Sequence, residues 1–176
     1  MKARKVKGID PDGRAADEVA KIVAVRLDEL CAFMPTARDP AAVHTLHDMR
    51  IAAKRLRYVL ELFAPAFGPY AGEAARQAKK LQDVIGEIHD CDVTRPRIAA
   101  LRDELPADDP AQPGLQALDG VLAQRRDEQF VRFLQRWDRL EDKHFRTRLT
   151  EAITSRSHDG NGSPEHAGIP SEESPA

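Results

Sequence analysis

The stretch VHTLHDMRIAAKRLRYVLELF, residues 43–63, decides the fold class. At about 100° per residue, Met49, Ala53, Leu56, Leu60 and Phe63 fall on one arc, while His47, Arg50, Lys54 and Arg57 fall within roughly 80° of one another on a different arc. This is the pattern of a helix with one side on a core and the other in solvent. Asp39-Pro40 offers a capping side chain with proline at the first helical position, and Phe67-Gly68-Pro69 offers a terminating glycine followed by a breaker. The predicted helix therefore runs over 40–67.

The flanking segments repeat the helical signal. Val19, Ile22, Val23, Leu27 and Leu30 predict a first helix over 15–34, preceded by a basic arm, Lys2 to Lys7, and a turn at Asp10-Pro11-Asp12-Gly13. A third helix is expected over 69–91 with Leu81, Ile85 and Ile88 inward, and Thr94-Arg95-Pro96 restarts a short fourth that ends near Leu105. The segment PADDPAQPG, 106–114, reads as a loop, and a long fifth helix follows over 115–153 with Phe130, Phe133, Leu134, Trp137 and Phe145 on its apolar side. No alternating strand pattern occurs. The expectation is an all-α helical bundle of about five helices, with long antiparallel members. Residues 1–14 read as a flexible basic arm and 15–153 as the bundle. Residues 154–176, rich in Gly, Pro, Ser and Glu, read as a disordered tail, since such a composition buries too little to offset its ordering entropy.

Charge is abundant but nearly balanced: 32% of residues are charged and the formal net charge is -2, which argues against a general nucleic-acid binder and directs attention to how the charges are distributed. The two cysteines, Cys31 and Cys91, form no CxxC pair and read as small apolar residues in a reduced cytoplasmic setting. No apolar run approaches the roughly 18 residues of a membrane span, and the first residues lack the apolar core of a signal peptide, so neither a membrane nor export is expected.

The cations are arranged in rows. His47, Arg50, Lys54 and Arg57 make a stripe on the order of 15 Å long, and Arg125, Arg132, Arg136, Arg139, Lys143 and Arg146 make another of about 31 Å on the fifth helix. Rows of like charge repel, a cost that an anion lying along them removes. On the third helix Arg76, Lys79 and Lys80 share a face with Asp83, Glu87 and Asp90. An internal explanation competes with the ligand: in a hairpin about Gly68, His47 would meet Asp90, Arg50 would meet Glu87 and Lys54 would meet Asp83. That ladder of ion pairs would leave Arg57 against Lys80 as surplus.

The segment 43–63, followed by KKLQDVIGEIHDCDV at 79–93 and FVRFLQRWDRLEDKHFRTRL at the end of the long helix, resembles the CHAD family, the histidine-containing α-helical domains. The resemblance spans about residues 15–152. It implies an all-helical bundle that binds inorganic polyphosphate without catalysis, through His47, Arg50, Lys54, Arg55 and Arg57, with Lys79 and Lys80 beside them. Arg76, Arg132, Arg136, Arg139 and Lys143 complete the expected binding set by their place on the basic faces; no catalytic residue, metal or cofactor is expected. Relatives usually carry two copies of the helical repeat, whereas this chain has one, most similar to the second half. The resemblance therefore implies a partner: a homodimer, or another CHAD-like chain. His89 stands where relatives often have arginine or asparagine.

Two other readings compete. His44, His47-Asp48, His89-Asp90 and Asp138 or Asp142 follow the H…HD…D order of the HD-type metal phosphohydrolases, although His44 lies about 60° from His47 and makes an awkward ligand pair with it. A helical adaptor for another protein is the other. For the homodimer, Val23, Leu27, Leu30, Phe133 and Trp137 exceed what a small bundle obviously needs and point to parts of the first and fifth helices as its apolar surface, without assigning the interface.

Overall fold

The structure, a computed structural model, describes residues 2–158 and is all-helical. Its elements are α1 (Ala15–Cys31), a single turn α2 (Met34–Ala37), α3 (Val43–Phe67), α4 (Pro69–Glu104), α5 (Gln112–Asp142) and α6 (Phe145–His158). α3 and α4 form an antiparallel hairpin, and α5 returns along the other flank of α4, so α4 lies between α3 and α5 in one layer. α1 and α6 pack against the inner side of that layer. The core they enclose is built from Val23, Leu27, Leu30, Met49, Leu56, Leu60, Leu81, Ile85, Ile88, Phe133 and Leu149, all fully buried. No described helix is long and apolar enough to cross a membrane.

Local chemistry explains where the elements differ from expectation. The first helix stops at Cys31 instead of continuing to 34, because Pro35 has no N–H and its ring would strike the carbonyl of Cys31; the chain restarts as α2 with Pro35 in its first turn. The second long helix begins at Val43 and not at 40. Asp39 does not cap it: its Oδ1 accepts from the Ala41 N–H at 2.9 Å, closing a turn around Pro40. Gly68, at φ 79, ends α3, and Pro69 opens α4, as the glycine-proline pair predicts.

The expected third and fourth helices are one. Pro96 sits inside α4, where it forfeits one backbone hydrogen bond, and contacts to α5 brace the helix before and after it: the ion pairs Asp92 with Arg126 at 2.5 Å and Arg95 with Asp119 at 2.8 Å precede it, and Arg102 donates to Gln112 at 3.2 Å beyond it. The expected fifth helix is two. Lys143 ends α5, His144 adopts φ 52, and α6 folds back beneath the bundle, where Phe145, Leu149 and Ile153 are buried. The loop is shorter than 106–114, since α5 starts at Gln112 with Pro113 in its first turn.

The N-terminal arm is docked rather than free. The Arg4 N–H donates to Glu29 Oε1 at 3.1 Å, Lys21 Nζ to the Gly8 carbonyl at 2.7 Å and the Asp10 N–H to Glu18 Oε2 at 2.9 Å. Helix α6 carries regular structure to His158, five residues into the expected tail; the rest of that tail lies outside the described residues. Val23, Leu27, Leu30, Phe133 and Trp137 are all buried, so they are core and not a spare interface. Cys91 is buried and Cys31 half-buried; burial pushes the Cys31 thiol up to about 11, which leaves it protonated and inert.

Candidate functional site

Because α3 and α4 meet along their lengths, the row His47, Arg50, Lys54, Arg57 lies beside the outer ridge of α4. His47 meets His89: their Nδ1 atoms are 3.3 Å apart and the rings 4.5 Å, tilted by 39°. At this spacing one nitrogen must donate and the other accept, so the pair tolerates two neutral rings or one shared proton but not two donors face to face. Burial holds His89 below its ordinary value, helped by the charges of His47 and Arg50.

One turn on, Arg50 lies against Gly86. A Cβ at residue 86 would come within 3.3 Å of the Arg50 Nε, so the glycine makes the room that the guanidinium occupies. That Nε is buried and has no hydrogen-bond partner. Lys54 is exposed and stands 5.6 Å from the Tyr58 ring, while the Arg57 guanidinium lies 4.9 Å from the same ring. Arg57 also donates to Glu61 at 2.8 Å and to Gln82 at 3.3 Å.

The ladder of internal ion pairs is not built. Glu87 pairs with Arg125 of α5, and Asp83 pairs with Lys79 on its own helix at 2.8 Å. The acids that would have neutralised Arg50 and Lys54 are thus engaged elsewhere, and among the described residues neither cation has a carboxylate partner. Arg57 faces Gln82 and not Lys80.

On the other flank of α4 an open furrow of about 620 Å³ is lined by Lys80, Asp83, Glu87, Arg132, Arg136 and Arg139. Four of the fifth-helix row, Arg125, Arg132, Arg136 and Arg139, are therefore gathered beside Lys80, Arg125 already paired with Glu87. Lys143 lies beyond them at the end of α5, outside the furrow lining. Arg146 has left the row altogether, since the turn at His144 carries it to Asp28 of α1 at 2.7 Å. Arg76 and Lys79 are exposed on α4.

Arg55 is misplaced in the expected set. It points away from the row into the α1–α3 contact, where its Nη1 donates at 3.1 Å to Glu29, a carboxylate only 1% exposed that also receives Arg26 at 2.7 Å. A buried carboxylate needs such partners, so Arg55 is held by the fold. Gly86, Gln82 and Tyr58 were missed. Tyr58 follows Arg57 and stands four residues after Lys54, a spacing that could have flagged it.

A second cavity, of about 440 Å³, opens at the α5–α6 elbow beside Met34, Trp137 and Phe145. Its charged rim is already paired, Arg38 with Asp138 and Glu141 and Arg146 with Asp28. For the metal-hydrolase reading, His44 is exposed on α3, and among the described residues no group of three or more His, Cys, Asp or Glu side chains converges on a point that could hold an ion.

The family model described as the CHAD domain matches residues 3–99, just over half of the chain. The match takes in the docked arm, which the sequence reading placed outside the bundle, and ends within α4; α5 and α6 lie beyond it. None of the curated proteins and none of the solved structures matches.

Proposed function

This chain belongs to the CHAD domain family, and from that premise we propose that its outer helical face binds inorganic polyphosphate, or a similar phosphate-rich polyanion, without catalysing a reaction on it. The observation that carries this reading is the engagement of Glu87 and Asp83 by other cations, which leaves Arg50 and Lys54 without carboxylate partners among the described residues, on a face where each raises the other's cost. A polyanion relieves that repulsion. Arg132, Arg136, Arg139 and Lys80 offer a second cationic track on the far side of the same helix.

A linear polyphosphate suits the arrangement better than a single phosphate, because its charges repeat along the line and each row presents several cations. Nucleic acid is the weaker match: the face carries one exposed aromatic, Tyr58, and that ring already faces two cations of the same helix. A reduced cytoplasmic setting accords with two free cysteines that are buried or half-buried. The chain works alone, as a homodimer, or beside another CHAD-like chain that lengthens the cationic face.

Calorimetric titration of the purified chain with long-chain polyphosphate and with orthophosphate, at low and high salt, tests the reading. Long chains should bind far more tightly, with affinity falling steeply as salt rises because counterions are released. The triple replacement Arg50→Gln, Lys54→Gln, Arg57→Gln should weaken binding at unchanged helicity. Equal weak affinity for both ligands, or affinity indifferent to salt, would overturn it.

A further inference from the structure

The register of the α3–α4 hairpin gives α4 an overhang. His47 is level with His89 and Arg50 with Gly86, so Val43, the first residue of α3, is level with Val93. The stretch of α4 from there to Glu104 extends roughly 16 Å past the end of α3. The first half of α5 runs beside this extension, tied to it by Arg95 with Asp119 and by Arg102 with Gln112. Together they make a two-helix arm.

The arm has almost no core of its own. Past Cys91 the one buried residue of α4 is Ile98, and α5 buries no apolar side chain before Phe130. Two helices bury only the strip between them, and here Leu101, Leu118 and Val121 remain 44%, 46% and 63% exposed. Leu101 stands five turns after Asp83 on the furrow side of α4, and Leu118 two turns before Arg125 on the furrow side of α5. The furrow is thus cationic beside the bundle and apolar along the arm.

The exposed edge of α4 carries a further pattern. Arg97, Leu101 and Glu104 follow one another at i, i+4 and i+7, which sets them in one stripe. All three are exposed, and among the described residues neither charge has an ion-pair partner. The stripe reads cation, apolar, anion, so turning it end over end about Leu101 brings each charge onto its opposite.

We propose that this arm docks a second copy of the chain, α4 against α4 in antiparallel fashion about Leu101. A two-fold axis there packs the two Leu101 side chains together and sets Arg97 of each copy against Glu104 of the other. An isologous contact requires a surface complementary to itself, and this stripe meets the requirement. The arginine rows of α3 and α5 do not, since each would face its own charge. The patch is small, so association is expected at concentrations on the order of micromolar. The contact lies beyond the cationic rows and is independent of any ligand.

Sedimentation velocity on the full chain over a wide concentration range should show a reversible monomer–dimer equilibrium. Leu101→Asp, at an exposed position, should raise the dissociation constant at least about tenfold with helicity unchanged. Arg97→Glu and Glu104→Arg should each weaken the dimer, and the double reversal should restore it, a coupling that no merely structural role produces. Leu101→Cys should give an interchain disulfide under mild oxidation, because the two α carbons meet at the axis. A chain monomeric at every concentration would overturn the proposal. So would a dimer indifferent to Leu101→Asp and to both charge reversals.

Discussion

The guanidinium of Arg50 occupies the space that a side chain on residue 86 would take: a Cβ there would stand 3.3 Å from Nε. α4 accepts a glycine at mid-helix, at a cost of about 1 kcal/mol relative to alanine, and Arg50 packs close against the ridge there with its Nε buried. Gly86→Ala should therefore raise stability or leave it unchanged while displacing Arg50 by a few tenths of an ångström. Polyphosphate affinity should fall about threefold, and further in Gly86→Leu. Thermal unfolding and calorimetric titration on the same samples separate the two effects. Unchanged affinity in both variants would mean that Arg50 does not touch the ligand.

Neighbouring residues on α3 should respond oppositely to the same replacement. Arg55→Gln removes a partner from the buried Glu29 carboxylate and should cost about 2 kcal/mol of stability, with little effect on binding. Lys54→Gln, on the exposed face, should leave stability within about 0.5 kcal/mol and reduce the salt slope of binding by about one. Denaturant unfolding and salt-dependent titration check both. A binding loss in Arg55→Gln at full stability would return Arg55 to the site.

The histidine pair predicts a pH dependence with a definite sign. Burial holds His89 below the ordinary imidazole value of 6.5, with the charges of His47 and Arg50 adding to it, so below that pH the unfolded chain takes up a proton that the folded chain resists. Stability should fall as pH drops below about 6.5, and less so in His89→Gln. A polyanion along Arg50 favours the protonated pair, so binding should take up protons and tighten over the same range. Calorimetry in buffers of different ionisation enthalpy measures the uptake. No uptake, or uptake undiminished in His89→Gln, would make the pair a packing contact alone.

The elbow between α5 and α6 rests on His144 at φ 52, a region that side-chain-bearing residues enter at a cost of about 1 kcal/mol or more. His144→Gly should relieve most of that strain and raise the thermal midpoint by about 2–4 °C. His144→Val should lower it, because a β-branched side chain crowds this conformation most. Scanning calorimetry on the two variants tests the pair. A midpoint that falls in His144→Gly would show that the imidazole itself stabilises the turn.

Much of this molecule was legible in its amino acids. Helical periodicity over 43–63 and 81–88 named the buried sides of α3 and α4, because burial of one arc is a local consequence of 3.6 residues per turn. Gly68 followed by Pro69 marked the hairpin, because a positive φ and a missing N–H are properties of single residues. The cationic row His47, Arg50, Lys54 and Arg57 came from the same arithmetic. Tertiary structure decided what periodicity cannot carry. Pro96 stays within α4 because Asp92 and Arg95 reach partners on α5, and the long helix predicted to 153 breaks at His144 because α6 buries Phe145 and Leu149 beneath α1 and α4. Arg55, which the family resemblance placed in the binding set, lies outside the site because Glu29, on another helix, is buried and requires it. Whether Arg50 and Lys54 were neutralised rested on the choice of Glu87 and Asp83 between α3, α5 and their own helix, and an ion pair is settled by distance in space, which spacing along one chain does not contain.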